Sequence, residues 1–233
     1  MEIEAKFKLE DPSALQFWMH CIEHEQNFGG WARIDRDDGI RRMRSFYFDT
    51  AEEDLAKQRA GLRLRQENET WILTLKQTLR QNQAVSERHE WECVWRGELP
   101  GQILKYGTSP LAFTEKVLLS LAETGESDEA LRQLCGQVEG KRLQIVAAVD
   151  FVRRLTLLEK DQARIEWALD RGAFLNSLGE QRPFAEMEAE IKAGDEADLA
   201  DLLEIFRHKH PLEAERRSKL ERALTFQRES QAR

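Results

Sequence analysis

Glutamate, arginine and lysine recur in this sequence at spacings that sort charge by sign. Glu2 and Glu4, Glu90 and Glu92, and Glu188 and Glu190 are acidic pairs two residues apart, and Arg63 and Arg65 are a basic pair at the same spacing. On an extended strand successive side chains point to opposite faces, so each pair shares a face. Like neighbours repel there, and a face that only needed solvation has no reason to cluster them. Charges that converge in a confined space are costly unless something compensates them. Clustered Arg and Lys compensate a polyphosphate, Arg through bidentate forks and Lys as a point charge. Clustered carboxylates compensate a hard divalent cation such as Mg²⁺ or Mn²⁺. Together these requirements describe a metal-dependent phosphoanhydride site, where catalysis is mostly positioning and electrostatic.

The elements that must position these groups read as strands of strict period two. In residues 1–9, Glu2, Glu4, Lys6 and Lys8 fall on one face and Ile3, Ala5, Phe7 and Leu9 on the other. The same segregation holds in 61–67, where Arg63 and Arg65 oppose Leu62 and Leu64, and in 70–77, where Thr74 and Lys76 oppose Trp71, Leu73 and Leu75. In 88–95, Arg88, Glu90 and Glu92 oppose His89, Trp91, Cys93 and Trp95. In 164–170, Arg164, Glu166 and Asp170 oppose Ile165, Trp167 and Leu169; in 186–192, Glu186, Glu188, Glu190 and Lys192 oppose Met187, Ala189 and Ile191. Alternation alone also fits an ordinary antiparallel sheet with its polar face in water. Strands curled into a barrel can instead point charge at the lumen while helices cover the apolar outer faces. The almost wholly ionic polar faces favour the barrel, and amphipathic helices are available. Asp11-Pro12 opens one helix, with Leu15, Trp18, Met19 and Ile22 at helical spacing; a second begins near Asp195 with Leu199, Leu202, Leu203 and Phe206. Residues 97–140 read as short helices joined by turns, an excursion between strands.

The chain has 233 residues, of which 41% are hydrophobic and 33% charged, enough for a real core with an unusually ionic remainder. A net charge of -8 argues against a general nucleic-acid binder. No run of about 18 apolar residues exists and the N-terminus is charged, so neither a membrane span nor a signal peptide is expected, and a cytoplasmic location is. Cys21, Cys93 and Cys135 are too scattered for a metal framework and read as small core or surface residues. No repeat or linker divides the sequence, which is expected to form a single domain over 1–233.

Glu2-Ile3-Glu4-Ala5-Lys6 resembles the ExExK signature of the CYTH, or triphosphate tunnel metalloenzyme, superfamily. Further matches follow in order: Arg44 ahead of Tyr47-Phe48-Asp49-Thr50, Gly61 to Arg65, Leu73 to Lys76, Arg88-His89-Glu90, Asp150-Phe151 before Arg153, Ile165-Glu166 through Asp170, Glu186 to Glu190, and Ser218-Lys219. The resemblance covers about residues 1–225. It implies an α+β fold, an eight-stranded antiparallel β-barrel tunnel with a charged interior, covered outside by helices. Carried over by residue, it implies metal-binding carboxylates at Glu2, Glu4, Glu188 and Glu190, and triphosphate contacts at Lys6, Arg44, Arg63, Arg65, Lys76, Arg153 and Lys219. Glu90 and Asp170 match acidic tunnel positions that hold metals, water or the basic residues. With Glu2, Glu4 and Lys6 they form the expected catalytic set.

The branch most similar is that of the bacterial inorganic triphosphatases, implying Mg²⁺- or Mn²⁺-dependent hydrolysis of triphosphate. Thiamine triphosphatase and class IV adenylate cyclase are alternatives on the same fold, and a non-catalytic polyphosphate or nucleotide binding module is one of another class. Some members of the branch carry a C-terminal helical CHAD domain; this chain ends soon after the tail, so either a stand-alone catalytic domain or a truncated chain is implied. Triphosphate is the expected partner, with no nucleic acid or membrane, and the oligomeric state is left open.

Strand parity groups Arg154 with Asp150 and Thr156, and Arg153 with Phe151 and Leu155; the motif points to Arg153, and a bulge would reconcile the two. Glu92, Glu166 and Glu186 share the charged faces and read equally as solvated residues at a tunnel mouth. His89 and Trp71, Trp91 and Trp167 belong to the apolar outer faces, whereas His20, His24, His208 and His210 read as surface or packing residues on helices.

Overall fold

Alternating segments form strands whose hydrogen bonds close on themselves. The computed structural model describes residues 2–34, 39–82, 85–95, 110–111 and 129–232. In chain order the elements are β1 (Glu2–Lys8), α1 (Pro12–His24), β2 (Asn27–Phe28), β3 (Trp31–Arg33), β4 (Ile40–Thr50), α2 (Asp54–Lys57), β5 (Ala60–Glu67), β6 (Thr70–Asn82) and β7 (Val85–Val94). There follow β8 (Pro110–Leu111), α3 (Glu129–Val138), β9 (Leu143–Lys160), β10 (Ala163–Leu175), β11 (Gln181–Ala193), α4 (Glu196–Lys209), β12 (Glu213–Ala214) and α5 (Lys219–Gln231). The pairing runs β10-β11-β1-β7-β6-β5-β4-β9, and β9 pairs again with β10, closing an eight-stranded antiparallel barrel. Closure leaves no long open edge. The short strands β3, β8 and β12 extend β9 and β1 at the rim.

The apolar faces point outward and the helices cover them. Over β1, β10 and β11, Trp18 of α1 and Phe206 of α4 pack on Trp167, with ring centroids 5.9 and 5.0 Å away, and Phe28 meets the same indole edge-on at 5.1 Å. Asp11 caps α1 by accepting from the Ser13 amide, and Asp195 with Asp198 forms a capping box on α4, which satisfies amides that a helix start leaves unpaired. Across the barrel, Leu131, Leu134 and Val138 of α3 and Leu55 of α2 join the outward Phe46, Phe48, Leu62, Leu64, Leu73 and Leu75.

A third cluster lies inside. Ala223 and Phe226 of α5 pack with inward side chains of the wall: Met43, Tyr47, Val149, Phe151, Phe174 and Phe184. One end of the barrel is therefore stopped by apolar packing, and charge fills the rest of the lumen. This explains why β4 and β9 escape the alternation rule: where they pass the stopper, both of their faces are apolar. Of the expected helical excursion over 97–140, 129–138 is the helix α3, 110–111 is instead the short strand β8 paired to β9, and 97–109 and 112–128 lie outside the described residues.

Candidate functional site in the barrel lumen

The charged faces enclose a cavity of about 700 Å³. Strand β1 contributes Glu2, Glu4 and Lys6; β5 contributes Arg63 and Arg65; β6 contributes Lys76. Strand β7 adds Arg88, Glu90 and Glu92, β9 adds Arg153, and β11 adds Glu188, Glu190 and Lys192, with Lys219 entering from the first turn of α5. Cross-strand register fixes the neighbours: Glu4 stands opposite Glu190, which stands opposite Glu166, and Lys6 stands opposite Glu188.

Most of these charges are paired. Lys76 donates to both oxygens of Glu2, at 2.7 and 2.8 Å, and lies 3.1 Å from Glu90. Lys6 is 3.3 Å from both Glu4 and Glu188, and Arg88 also holds Glu4. Burial opposes ionisation of Glu4, yet Lys6 and Arg88 outweigh it and hold the carboxyl at about 2. Glu188 is likewise held well below the ordinary range, because Lys219, Arg153 and Lys6 overcome its burial. Burial also works against Glu90, which Lys76 and Arg63 nevertheless pull down.

Two places remain under-compensated, with opposite signs. Burial, aided by Glu2, pushes Glu190 up to about 7 despite Lys192 at 2.7 Å. Burial raises Glu2 as well, even with Lys76 upon it. Facing them, Arg63 donates from Nη2 to Thr74 Oγ1 at 3.3 Å, and although burial opposes its charge, Tyr47, Glu90, Glu92 and Glu2 at longer range raise it; Arg65 has Glu67 at 3.2 Å and Glu92 at 3.7 Å. The buried Nε atoms of both arginines find no acceptor among the described residues. Burial and the Arg63 charge depress Arg65 to about 10. A buried donor without an acceptor is expensive, so this wall suits a small anionic ligand, and the Glu2–Glu190 wall suits a cation.

Oxygen-only donors with excess negative charge fit a hard divalent metal. The expected quartet Glu2, Glu4, Glu188 and Glu190 stands on the paired strands β1 and β11, with Glu4 opposite Glu190 and Glu188 opposite Lys6. A second group, Asp170, Glu186 and Glu188, offers carboxylate oxygens all within 4.8 Å of one another and could chelate such an ion.

Residues 1–224 match the model of the CYTH domain. The chain belongs to the CYTH family. A curated inorganic triphosphatase from Haemophilus influenzae is 30% identical over 159 residues, 68% of this chain. The match spans 38% of that relative's length. Solved structures share the CYTH fold at lower identity. An adenylyl cyclase candidate from Hippeastrum, described as having a dominant triphosphatase activity, has a TM-score of 0.59 at 21% identity with 97% of each chain covered. A Pyrococcus horikoshii protein has a TM-score of 0.55 at 18% identity, covering 97% of this chain and all of its own. No helix among the described residues of this CYTH domain is long and apolar enough to cross a membrane.

Most expected site residues of the CYTH barrel meet in the lumen; Asp170 sits behind the cavity wall, under Arg153 and Lys219, and outside the lumen altogether lies Arg44. It shares its face with the outward Phe46, and its guanidinium grips Asp150 on the outside of the wall, with Nε and Nη2 each 3.0 Å from a carboxylate oxygen. Arg153 faces inward and Arg154 outward, where it pairs with Glu23 at 3.2 Å. No bulge is involved, because Phe151 and Leu155 line the cavity beside Arg153; the strand's inner face is simply mixed. Glu92 is exposed, as a tunnel-mouth residue would be, but Glu186 is 0% exposed and lies beneath Lys219. Arg88, Lys192 and Arg222 were not among the expected site residues. The first two share parity with Glu90 and Glu190, and Arg222 stands one helical turn after Lys219, signals that were present in the sequence.

Proposed function

We propose that this CYTH domain hydrolyses inorganic triphosphate to diphosphate and phosphate with Mg²⁺ or Mn²⁺, its core of about residues 1–225 acting as one catalytic unit. The observation that carries the reading is the opposition of the under-compensated Glu2–Glu190 wall to Arg63 and Arg65, whose buried Nε atoms have no acceptor among the described residues, across one enclosed cavity. In this reading Arg63 and Arg65 take the phosphate oxygens bidentately, and Lys6, Lys76, Arg153 and Lys219 spread positive charge along the chain of phosphates. Glu2, Glu4, Glu188 and Glu190 hold the cation. Glu90 restrains Lys76, and Asp170 restrains Arg153 and Lys219. A divalent ion held by these carboxylates would supply positive charge against the transferred phosphoryl group and a more acidic water. Carboxylates that repel an anion are of no use to a simple polyphosphate receptor, which favours hydrolysis over binding alone.

The test is a rate comparison across inorganic triphosphate, thiamine triphosphate and ATP, with Mg²⁺ and then Mn²⁺. Inorganic triphosphate is expected to give the highest kcat/KM, with phosphate and diphosphate as products. Cyclic AMP formed from ATP without free phosphate would overturn the assignment, and tight binding of all three without turnover would favour the receptor.

A further inference from the structure

Behind the cavity wall, next to the apolar stopper, lies a cluster of three carboxylates and three cations, joined through Glu188 to Lys6. Arg153, Glu188 and Lys219 form its front row and line the cavity; Asp170, Glu186 and Arg222 form its back row and do not. Arg153 grips Asp170 bidentately, with both contacts at 2.8 Å, and reaches Glu188 as well. The Lys219 ammonium lies 2.7 Å from Asp170 and 2.9 Å from Glu188, and also meets Glu186, which in turn receives Arg222. Asp170 is 1% exposed and Glu186 0%.

We infer that Glu186 and Arg222 are positioning residues that hold Lys219 at the cavity wall, where it acts on an anion as a point charge, and that the Asp170–Glu186–Glu188 group is the seat of this tethered ammonium and not of a metal ion. An ammonium has three protons, and three carboxylates accept them, so its direction is fixed. The cluster's formal charges cancel. A divalent ion entering there would have to displace Lys219, whose nitrogen also lies over the rings of Phe151 and Phe184 at 5.1 and 5.9 Å. Lys219 meets one oxygen of the fully buried Glu186, and the Arg222 guanidinium lies against the other.

The kinetic arm of the test rests on the triphosphatase reading; the crystallographic arm does not. Crystals soaked in Mn²⁺ are expected to show no anomalous peak among Asp170, Glu186 and Glu188, and Glu186→Gln crystals to show the Lys219 nitrogen displaced from the cavity wall. In solution, Arg222→Met and Glu186→Gln should each raise KM for triphosphate about tenfold with kcat changed less than about threefold. Arg222→Lys should restore most of the loss, and in a Lys219→Met background Glu186→Gln should add little. A manganese peak in the triad, or an unmoved Lys219 in the Glu186→Gln crystal, would overturn the inference. So would variants that lose thermal stability while the folded fraction keeps its KM, because these residues would then be structural only. Absence of triphosphate turnover in the unmodified protein would defeat the functional reading, and the crystals would still decide this one.

Discussion

Glu190 links the electrostatics of the lumen to stability in a way that one substitution can measure. Its carboxyl is raised from 4.5 to about 7 by burial and by Glu2. A raised carboxyl binds its proton more tightly in the fold than in the unfolded chain, so stability falls as pH climbs from 4.5 to 7 and levels off above. Each unit corresponds to about 1.4 kcal/mol, giving a penalty of about 3 kcal/mol for ionised Glu190 at pH 8. Its side chain keeps 21% exposure, which reduces the expectation to about 2 kcal/mol. Glu190→Gln removes this charge, and Lys192 keeps Glu166 at 4.0 Å as a partner. In EDTA at pH 8 the variant should therefore be more stable than the parent, by about 4–8 °C in Tm for a chain of this size. At pH 5, where Glu190 of the parent is already protonated, the gain should shrink to less than half. Millimolar Mg²⁺ should stabilise the parent more than the variant, and the variant should lose triphosphate turnover. Thermal melts at the two pH values, with EDTA and with Mg²⁺, check all of this. A variant no more stable than the parent at pH 8, or equally stabilised at both pH values, would refute the claim that this wall carries uncompensated negative charge.

Glu4→Gln should behave oppositely: its carboxyl, held at about 2, contributes stability above 4.5 that is lost as pH falls through 2, so urea midpoints should show a folded, inactive variant whose deficit at pH 7 narrows in acid. Arg44→Ala should leave KM for triphosphate within about twofold and cost about 1 kcal/mol or less, because its half-exposed pair with Asp150 lies outside the tunnel; steady-state kinetics beside a urea titration test both parts. Trp167→Ala should cost about 3–5 kcal/mol by emptying the centre of the outer core, read as a lowered urea midpoint.

Strands were legible wherever the two faces of the wall differ. Six segments alternate because charge fills the lumen on one side and helices press on the other. In β4 and β9 that contrast fails beside α5, since Val149 and Ala148 are both buried on opposite faces, and period two gives no signal. The charged wall of the site was legible for the same reason, from the like-sign pairs of β1, β5 and β11. Arg44 was misplaced because a motif supplies order along the chain and not strand parity; its neighbour Ser45, across from Arg65, is the inward residue. Sequence alone leaves Glu186 between the charged lumen face and the tunnel mouth because nothing local distinguishes it from Glu188 and Glu190. What buries it is Arg222, 36 positions later on α5, a tertiary contact that no local pattern carries.

The apolar stopper formed by α5 also bears on traffic. A channel blocked at one end is, kinetically, a pocket: a ligand that arrives by the open end must back out along the same path. Two fragments produced from one anion would then have to leave in sequence, the one nearer the opening first, and the inner fragment would hold the basic wall until it left. Competition between that inner fragment and a fresh anion for the same basic wall is the behaviour expected of such a dead-end channel.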